Sequence, residues 1–200
     1  MTTVLILSDT HMLNGKVPEP VLKLAGLADK VLHAGDFCSQ AAYDALNGMC
    51  KDKQLLAVRG HETEDTKIST WDGKKLPIEM PYTTKEGIRI GLVHGHQFLC
   101  NDFKGAMISA TGKAANFKTS KDNTIDQGVQ VLVFGHMHYP MIANGRERML
   151  ICPGSPTRPM GNSAASVAWL KISEGKIQAN IIRFESHISE YQLNASLFNV

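Results

Sequence analysis

The sequence predicts an α/β domain in which parallel strand pairing gives way to antiparallel pairing. Three observations carry that expectation. Three strand–helix steps fall in the first 60 residues, hairpin signals fill the last third, and 43% of the 200 residues are apolar, enough for a sizeable core. No repeat, low-complexity run or linker divides the chain, so a single domain over 1–200 is expected.

Each element has a local cause. Val4 to Leu7 is a short buried strand, followed by the polar loop Ser8-Asp-Thr-His11. Pro18 and Pro20 open a helix whose Val21, Leu22, Leu24, Ala25 and Ala28 face a core. Lys30 to Ala34 is a second strand, closed by Gly35-Asp36. Ser39 caps a second helix, expected to reach Asn47 with Gly48 as its stop. Gln54 to Val58 is a third strand and ends at Arg59-Gly60-His61. Leu76 to Met80, Thr83-Thr84 and Ile88 to Val93 are strands around the turn Lys85-Glu-Gly87. Val129 to Phe134 is a buried strand. Met141–Ala143 pairs with Arg148–Cys152 about Asn144-Gly145, and Ser166–Ile172 with Lys176–Phe184 about Ser173-Glu-Gly175. The polar, weakly patterned stretch 98–127 is expected to be an insertion or lid, and the tail from Ser186 a short helix or a frayed end.

Composition mostly excludes. Lys plus Arg number 21 against 19 Asp plus Glu, a formal charge of +2, too balanced for an extended nucleic-acid or membrane surface. Four scattered cysteines (38, 50, 100 and 152) make neither a disulfide framework nor a CxxC zinc knuckle. The start, Met1-Thr-Thr before Val4-Leu-Ile-Leu7, has no basic stretch and only four apolar residues in a row. Neither a signal peptide nor a membrane span is expected, and a reduced cytoplasmic setting is.

The eight histidines are more telling. Most strands of the first two thirds end in a metal-competent residue: Asp9 and His11, then Asp36, His61, His94 with His96, and His136 with His138. In open α/β sheets the functional crevice lies at the carboxyl ends of the strands, so these loops should converge. Carboxylates with imidazoles and no thiolate suit Mn²⁺, Fe, Ni²⁺ or Zn²⁺ better than Ca²⁺ or a structural zinc. Two Asp and four or five His are more donors than one ion needs, and a carboxylate bridging two ions would use them all. The chemistry implied is hydrolysis of a phosphate ester by a hydroxide lying between two divalent metals.

Asp9-Thr-His11, Gly35-Asp36, Arg59-Gly60-His61-Glu62, Leu92-Val-His94-Gly-His96, Gly135-His136-Met-His138 and Pro153-Gly-Ser-Pro156 occur in the order of the calcineurin-like metallophosphoesterases. The chain resembles their small prokaryotic YfcE-type branch, to which the retromer cargo-subunit scaffold is also related. The resemblance spans about residues 3–184. It implies a two-sheet β-sandwich flanked by helices in four layers, a dinuclear centre with Mn²⁺ as the favoured ion, and phosphodiesterase or phosphomonoesterase activity, the former preferred. Asp9, His11 and His138 would hold one metal, Asp36 would bridge, and His94, His136 and the residue after Gly60 would hold the other. A small phosphate ester, nucleotidic diesters included, is the implied substrate, and homo-oligomerisation stays open. The alternative is a non-catalytic protein-interaction scaffold with a vestigial metal site.

Three departures from the family pattern stand out. The family places Asn after the glycine at 60, whereas here His61 follows, either as a ligand in place of Asn or as the proton donor to the leaving oxygen. Cys152 stands where Asn is common, and the 42-position interval from His94 to His136 is long for the branch. His96 is a candidate substrate contact or a structural hydrogen-bonding group. Arg59 could fork onto a substrate phosphate or make a structural ion pair, an ambiguity shared by Arg158. His33, inside a strand, is read as a satisfied core histidine, His187 as a surface residue and the cysteines as buried hydrophobes, with Cys38 the one to test for redox sensitivity.

Overall fold

The computed structural model describes residues 1–52, 54–96, 128–145 and 148–184. Within these residues ten strands form two five-stranded sheets. The first sheet contains β1 (Thr2–Leu7), β2 (Lys30–His33), β3 (Leu56–Ala57), β9 (Ser166–Ser173) and β10 (Lys176–Arg183), ordered β10-β9-β1-β2-β3. The second contains β4 (Glu79–Thr83), β5 (Arg89–Val93), β6 (Val131–Val133), β7 (Pro140–Asn144) and β8 (Met149–Pro153), ordered β4-β5-β6-β8-β7. β1, β2 and β3 run parallel, as do β5, β6 and β8, while β9, β10, β4 and β7 add antiparallel edges. The expected passage from parallel to antiparallel pairing is therefore present, but inside each sheet rather than only along the chain.

Alternation along the strands builds the layers. In β1, Leu5 and Leu7 point to α1 (Glu19–Leu27) and α2 (Gln40–Met49), joining Val21, Leu24, Tyr43 and Leu46 in one core. Val4 and Ile6 point the other way and meet Ile90, Leu92, Val131, Val133 and Ile151 between the sheets. A third cluster, Val93, Val129, Leu132, Phe134, Leu150 and Cys152, lies on the outer face of the second sheet. Among the described residues the helices cover one sheet; the stretch 98–127, expected to be an insertion or lid, and the tail from Ser186 fall outside those residues.

Several boundaries differ from expectation. α2 runs past Gly48 to Met49, because the chain leaves the helix through an extended Cys50 (φ −66°, ψ 135°) and needs no left-handed glycine. The Cys50 thiol and backbone N–H instead bond the carbonyls of Leu46 and Asn47. The third strand shrinks to two residues. The stretch 76–78 is not strand, since the Pro77 carbonyl is taken by Arg59 N–H at 2.8 Å rather than by a sheet partner. The turn between β9 and β10 holds as read: Ser173 pairs with Lys176, and Glu174 and Gly175 both have positive φ, as a two-residue type I′ hairpin requires.

Candidate metal centre

The strand ends bring the predicted donors together. Backbone bonds continue the strand pairing into the loops: Asp9 N–H to Gly35 O (2.9 Å), His11 N–H to Asp36 O (2.9 Å) and Gly135 N–H to His94 O (2.9 Å). Two glycines allow the close approach. A Cβ on Gly60 would overlap the Asp36 carboxylate, and one on Gly135 would overlap Ser8 Oγ and Asp9. The loops are also strained. Seven described non-glycine residues have positive φ, and six of them are Asp9, His11, Asp36, Cys38, His136 and His138.

Two donor triads result, each with ligand atoms within 4.8 Å of one another: Asp9, His11 and His138, and His61, His94 and His136. Asp36 lies between them. Its Oδ2 is 2.9 Å from His61 Nδ1, 3.3 Å from His94 Nε2 and 3.6 Å from His11 Nε2, yet makes no well-formed hydrogen bond although fully buried. Its Oδ1, by contrast, accepts the His61 and Glu62 N–H groups at 3.0 and 3.2 Å. Asp9 is also fully buried and takes the His136 N–H on both oxygens, at 3.1 and 2.9 Å.

The imidazoles are oriented from behind. His94 Nδ1–H donates to Ala34 O at 2.7 Å and His138 Nδ1–H to Arg158 O at 2.6 Å, so each turns its Nε2 toward the centre. His11 Nδ1 lies 3.3 Å from Cys38 Sγ. Across the centre His11 Nε2 and His138 Nε2 are 3.1 Å apart, and His61 Nδ1 and His94 Nε2 are 3.2 Å apart. Two nitrogens sharing one ion at about 2.1 Å and 90–109° sit about 3.0–3.4 Å apart, so the spacing fits a shared divalent cation. The buried Asp36 Oδ2 points the same way, an acceptor that lacks a well-formed hydrogen bond and faces the imidazole nitrogens of both triads.

The electrostatics divide the donors. Burial drives the His11 and His136 pKa values down to about 4, with neighbouring charged groups acting in both directions, so both rings are neutral near pH 7. Burial also lowers His96 and raises Asp9. Burial works against ionisation of Asp36, but the His94 imidazole outweighs it, helped by His61 and the Glu62 N–H, and holds the carboxyl well below its usual range. His94 feels the same opposition and ends raised, its burial outweighed by Asp36 and Asp9. Burial pushes the Cys38 thiol up to about 12, and the negative charge of Asp65 and Glu62 adds to it.

His96 stands at the rim, its ring 5.4 Å from His94 and 6.1 Å from His61, with Nδ1 buried and unpartnered. Arg59 is half-buried beside it, and its charge contributes to holding His96 down. His33 lies in the core, stacked on Phe37 at 3.5 Å and bonded through Nε2 to Thr10 Oγ1. His187 and Cys100 fall outside the described residues, while Cys38, Cys50 and Cys152 are free and buried. Sequence reasoning missed Asp65, a fully buried carboxylate behind the Asp36 loop. In the run Glu62-Thr-Glu-Asp-Thr-Lys67 nothing separates it from a solvated neighbour.

Fold and donor set together define a class, an α/β sandwich that gathers a donor set able to hold divalent metal. Residues 2–175 match the calcineurin-like phosphoesterase superfamily domain, and the chain belongs to that superfamily, which implies the use of divalent metal. A probable metallophosphoesterase of Methanothermobacter thermautotrophicus is 29% identical over 180 residues, 89% of this chain and 90% of that one. Vacuolar protein sorting 29 from Cryptosporidium parvum superposes with a TM-score of 0.66 at 21% identity, covering 92% of this chain and 98% of that one. An archaeal phosphodiesterase superposes with a TM-score of 0.61 at 16% identity, covering 90% and 99%. At those identities the two structures speak for the fold alone. Among the described residues no helix is long and apolar enough to cross a membrane.

Proposed function

We propose that the protein hydrolyses phosphate esters, diesters in preference to monoesters, at a centre of two divalent ions. Asp9, His11 and His138 would hold one ion, His61, His94 and His136 the other, and Asp36 Oδ2 would join them. The observation that carries this reading is the position of that buried Oδ2, without a well-formed hydrogen bond and facing nitrogens from both triads. Divalent ions bound there supply a water of lowered pKa and neutralise charge building on the phosphoryl oxygens. Mn²⁺ is our preferred ion, because the donors are imidazole and carboxylate.

The chain's own contributions follow from geometry. Ala34 O and Arg158 O fix the tautomers of His94 and His138, and neutral His11 and His136 need shed no proton to ligate. We assign His61 as a ligand rather than as the acid, because its Nδ1 faces His94 Nε2 and Asp36 Oδ2. His96 and Arg59 are then left at the rim to contact the substrate phosphate. The near-neutral charge favours a small ester, nucleotidic diesters included, over a polymer. Three free buried thiols fit a reduced compartment such as the cytoplasm.

A scaffold of the retromer type shares the fold but does not need a complete set of donors, and two full triads behind clearing glycines are why we favour the enzyme. The test is hydrolysis of bis(p-nitrophenyl) phosphate by chelator-stripped protein before and after Mn²⁺ addition. Activity should appear with Mn²⁺ and exceed that on the aryl monoester. Correctly folded, metal-loaded protein inert on a broad panel of phosphate esters overturns the reading.

A further inference from the structure

We propose that Asp65 is a positioning residue for this centre: its carboxylate locks the Asp36 loop to the His61 loop and so aims Asp36 Oδ2 and the His61 ring at the ions. The inference rests on the metal-binding role proposed above. Asp65 belongs to neither donor triad, and four backbone N–H groups take up its carboxylate. Oδ2 accepts from Asp36 N (2.8 Å) and Gly60 N (2.9 Å), and Oδ1 from Phe37 N (3.0 Å) and Cys38 N (2.9 Å).

Three successive N–H groups converging on one anion make a nest, a conformation that needs unusual backbone angles. Here Asp36 and Cys38 are both left-handed, with φ of 60° and 67°. Without an anion in the nest those buried donors would be unpaired and the conformation unsupported. The same Oδ2 holds Gly60, and the two loops are thereby fixed at hydrogen-bond range. Asp36 Oδ1 is then filled by His61 N–H and Glu62 N–H, and only Oδ2 is left to face the centre. The order of cause runs from Asp65 to two loops, and from the loops to two ligands.

Asp65→Asn preserves shape but reverses one end of the side chain. Each Asp65 oxygen accepts two N–H groups, so whichever end becomes NH₂ points donors at donors. Mn²⁺ affinity, measured by competition with a fluorescent chelator, should fall about ten- to a hundredfold. The paramagnetic resonance spectrum of the Mn²⁺-loaded variant should change from that of a coupled pair to that of isolated ions. Ile172→Ala, at the far end of the first sheet where Ile172 pairs with Thr2, should lower the melting point yet leave the affinity unchanged. Wild-type affinity and a coupled spectrum in Asp65→Asn overturn the positioning role. If that variant does not fold, hydrogen exchange on the metal-free wild type decides: amides 36, 37, 38 and 60 should be protected together, and rapid exchange at them overturns the proposal. Wild-type protein that binds Mn²⁺ but cleaves no ester overturns only the phosphoesterase reading, whereas wild-type protein that binds no Mn²⁺ overturns both.

Discussion

Asp9, His11 and His138 on one side of Asp36, and His61, His94 and His136 on the other, differ in how firmly their donors are held. On the first side Asp9 is buried and doubly bonded to the His136 N–H, His11 is backed by Cys38, and His138 is backed by Arg158 O. On the second side His94 is as well fixed, through Ala34 O, but the His61 side chain is 43% exposed. Its outer nitrogen lies 3.9 Å from Glu62 Oε1. Rigid first-half donors lose little freedom on binding an ion, whereas His61 must be immobilised. We therefore expect the first half to bind more tightly and the second to exchange.

The largest effect should come from removing the group common to both halves. Asp36→Asn takes a negative charge from between them, and kcat on the aryl diester should fall by at least about 10²–10³-fold. Mn²⁺ stoichiometry should drop below two while the circular dichroism spectrum stays native. Full stoichiometry in this variant would end the idea that Asp36 joins the halves.

His61 gives the next largest effect and bears on the comparison directly. His61→Ala should weaken the looser ion about 10–100-fold and spare the tighter one, visible as a change in only one of two steps of a Mn²⁺ titration. His61→Asn, which restores the residue the family usually carries, should recover much of the loss. A proton donor behaves otherwise: Asn and Ala would be equally damaging, and the alkaline limb of the pH–rate profile would shift.

The two roles open to His61 mark where local sequence pattern gives way to tertiary structure. Asp9, His11, Asp36, His94, His136 and His138 were legible because short apolar runs end in them, and a strand end in an α/β sheet fixes where a side chain goes. The run before His61 yields only the two-residue strand Leu56–Ala57, and its loop is held by tertiary bonds, Arg59 N–H to Pro77 O and Gly60 N–H to Asp65. Asp65 is the extreme case. Its burial follows from three backbone groups 27 to 29 positions away, which no local pattern records. The strands and hairpins were legible for the opposite reason, since strand periodicity and the Glu174-Gly175 turn are local, while their division into two sheets was implied by the family resemblance alone.

A smaller effect is expected behind the first half. Cys38→Ala removes the partner of His11 Nδ1 and leaves the ring free to turn, so the tighter ion should weaken about tenfold. Cys38→Ser, which keeps an acceptor at that place, should lie between alanine and wild type. If both variants instead alter only the looser ion, the halves are not separately supported. Because burial holds this thiol up near 12, it should also react slowly with alkylating agents at pH 7.

The last and smallest effect concerns the protein without metal, where each half contributes one strongly depressed histidine. His11 and His136 have folded-state pKa values of about 4, against about 6.5 in an unfolded chain. Between those values the unfolded chain binds more protons than the folded one, so stability falls as pH drops from about 6.5 toward 4. His94, raised in the fold, acts in the other direction: its stabilisation is complete below about 6.5 and is lost as pH rises through its folded value. The core His33 and the rim His96 are depressed as well, so four lowered rings against one raised ring leave a net loss on acidification, to which His11 and His136 contribute on the order of 1–3 kcal/mol after allowance for solvent screening. Urea denaturation of chelator-treated protein at pH 7 and pH 5 should show it as a lower midpoint at pH 5. His11→Asn and His136→Asn should each flatten the slope by a similar share, since the two rings are equally depressed. A slope removed entirely by one of them would mean that the imidazoles differ in the metal-free fold, and that the asymmetry of the two halves extends beyond His61.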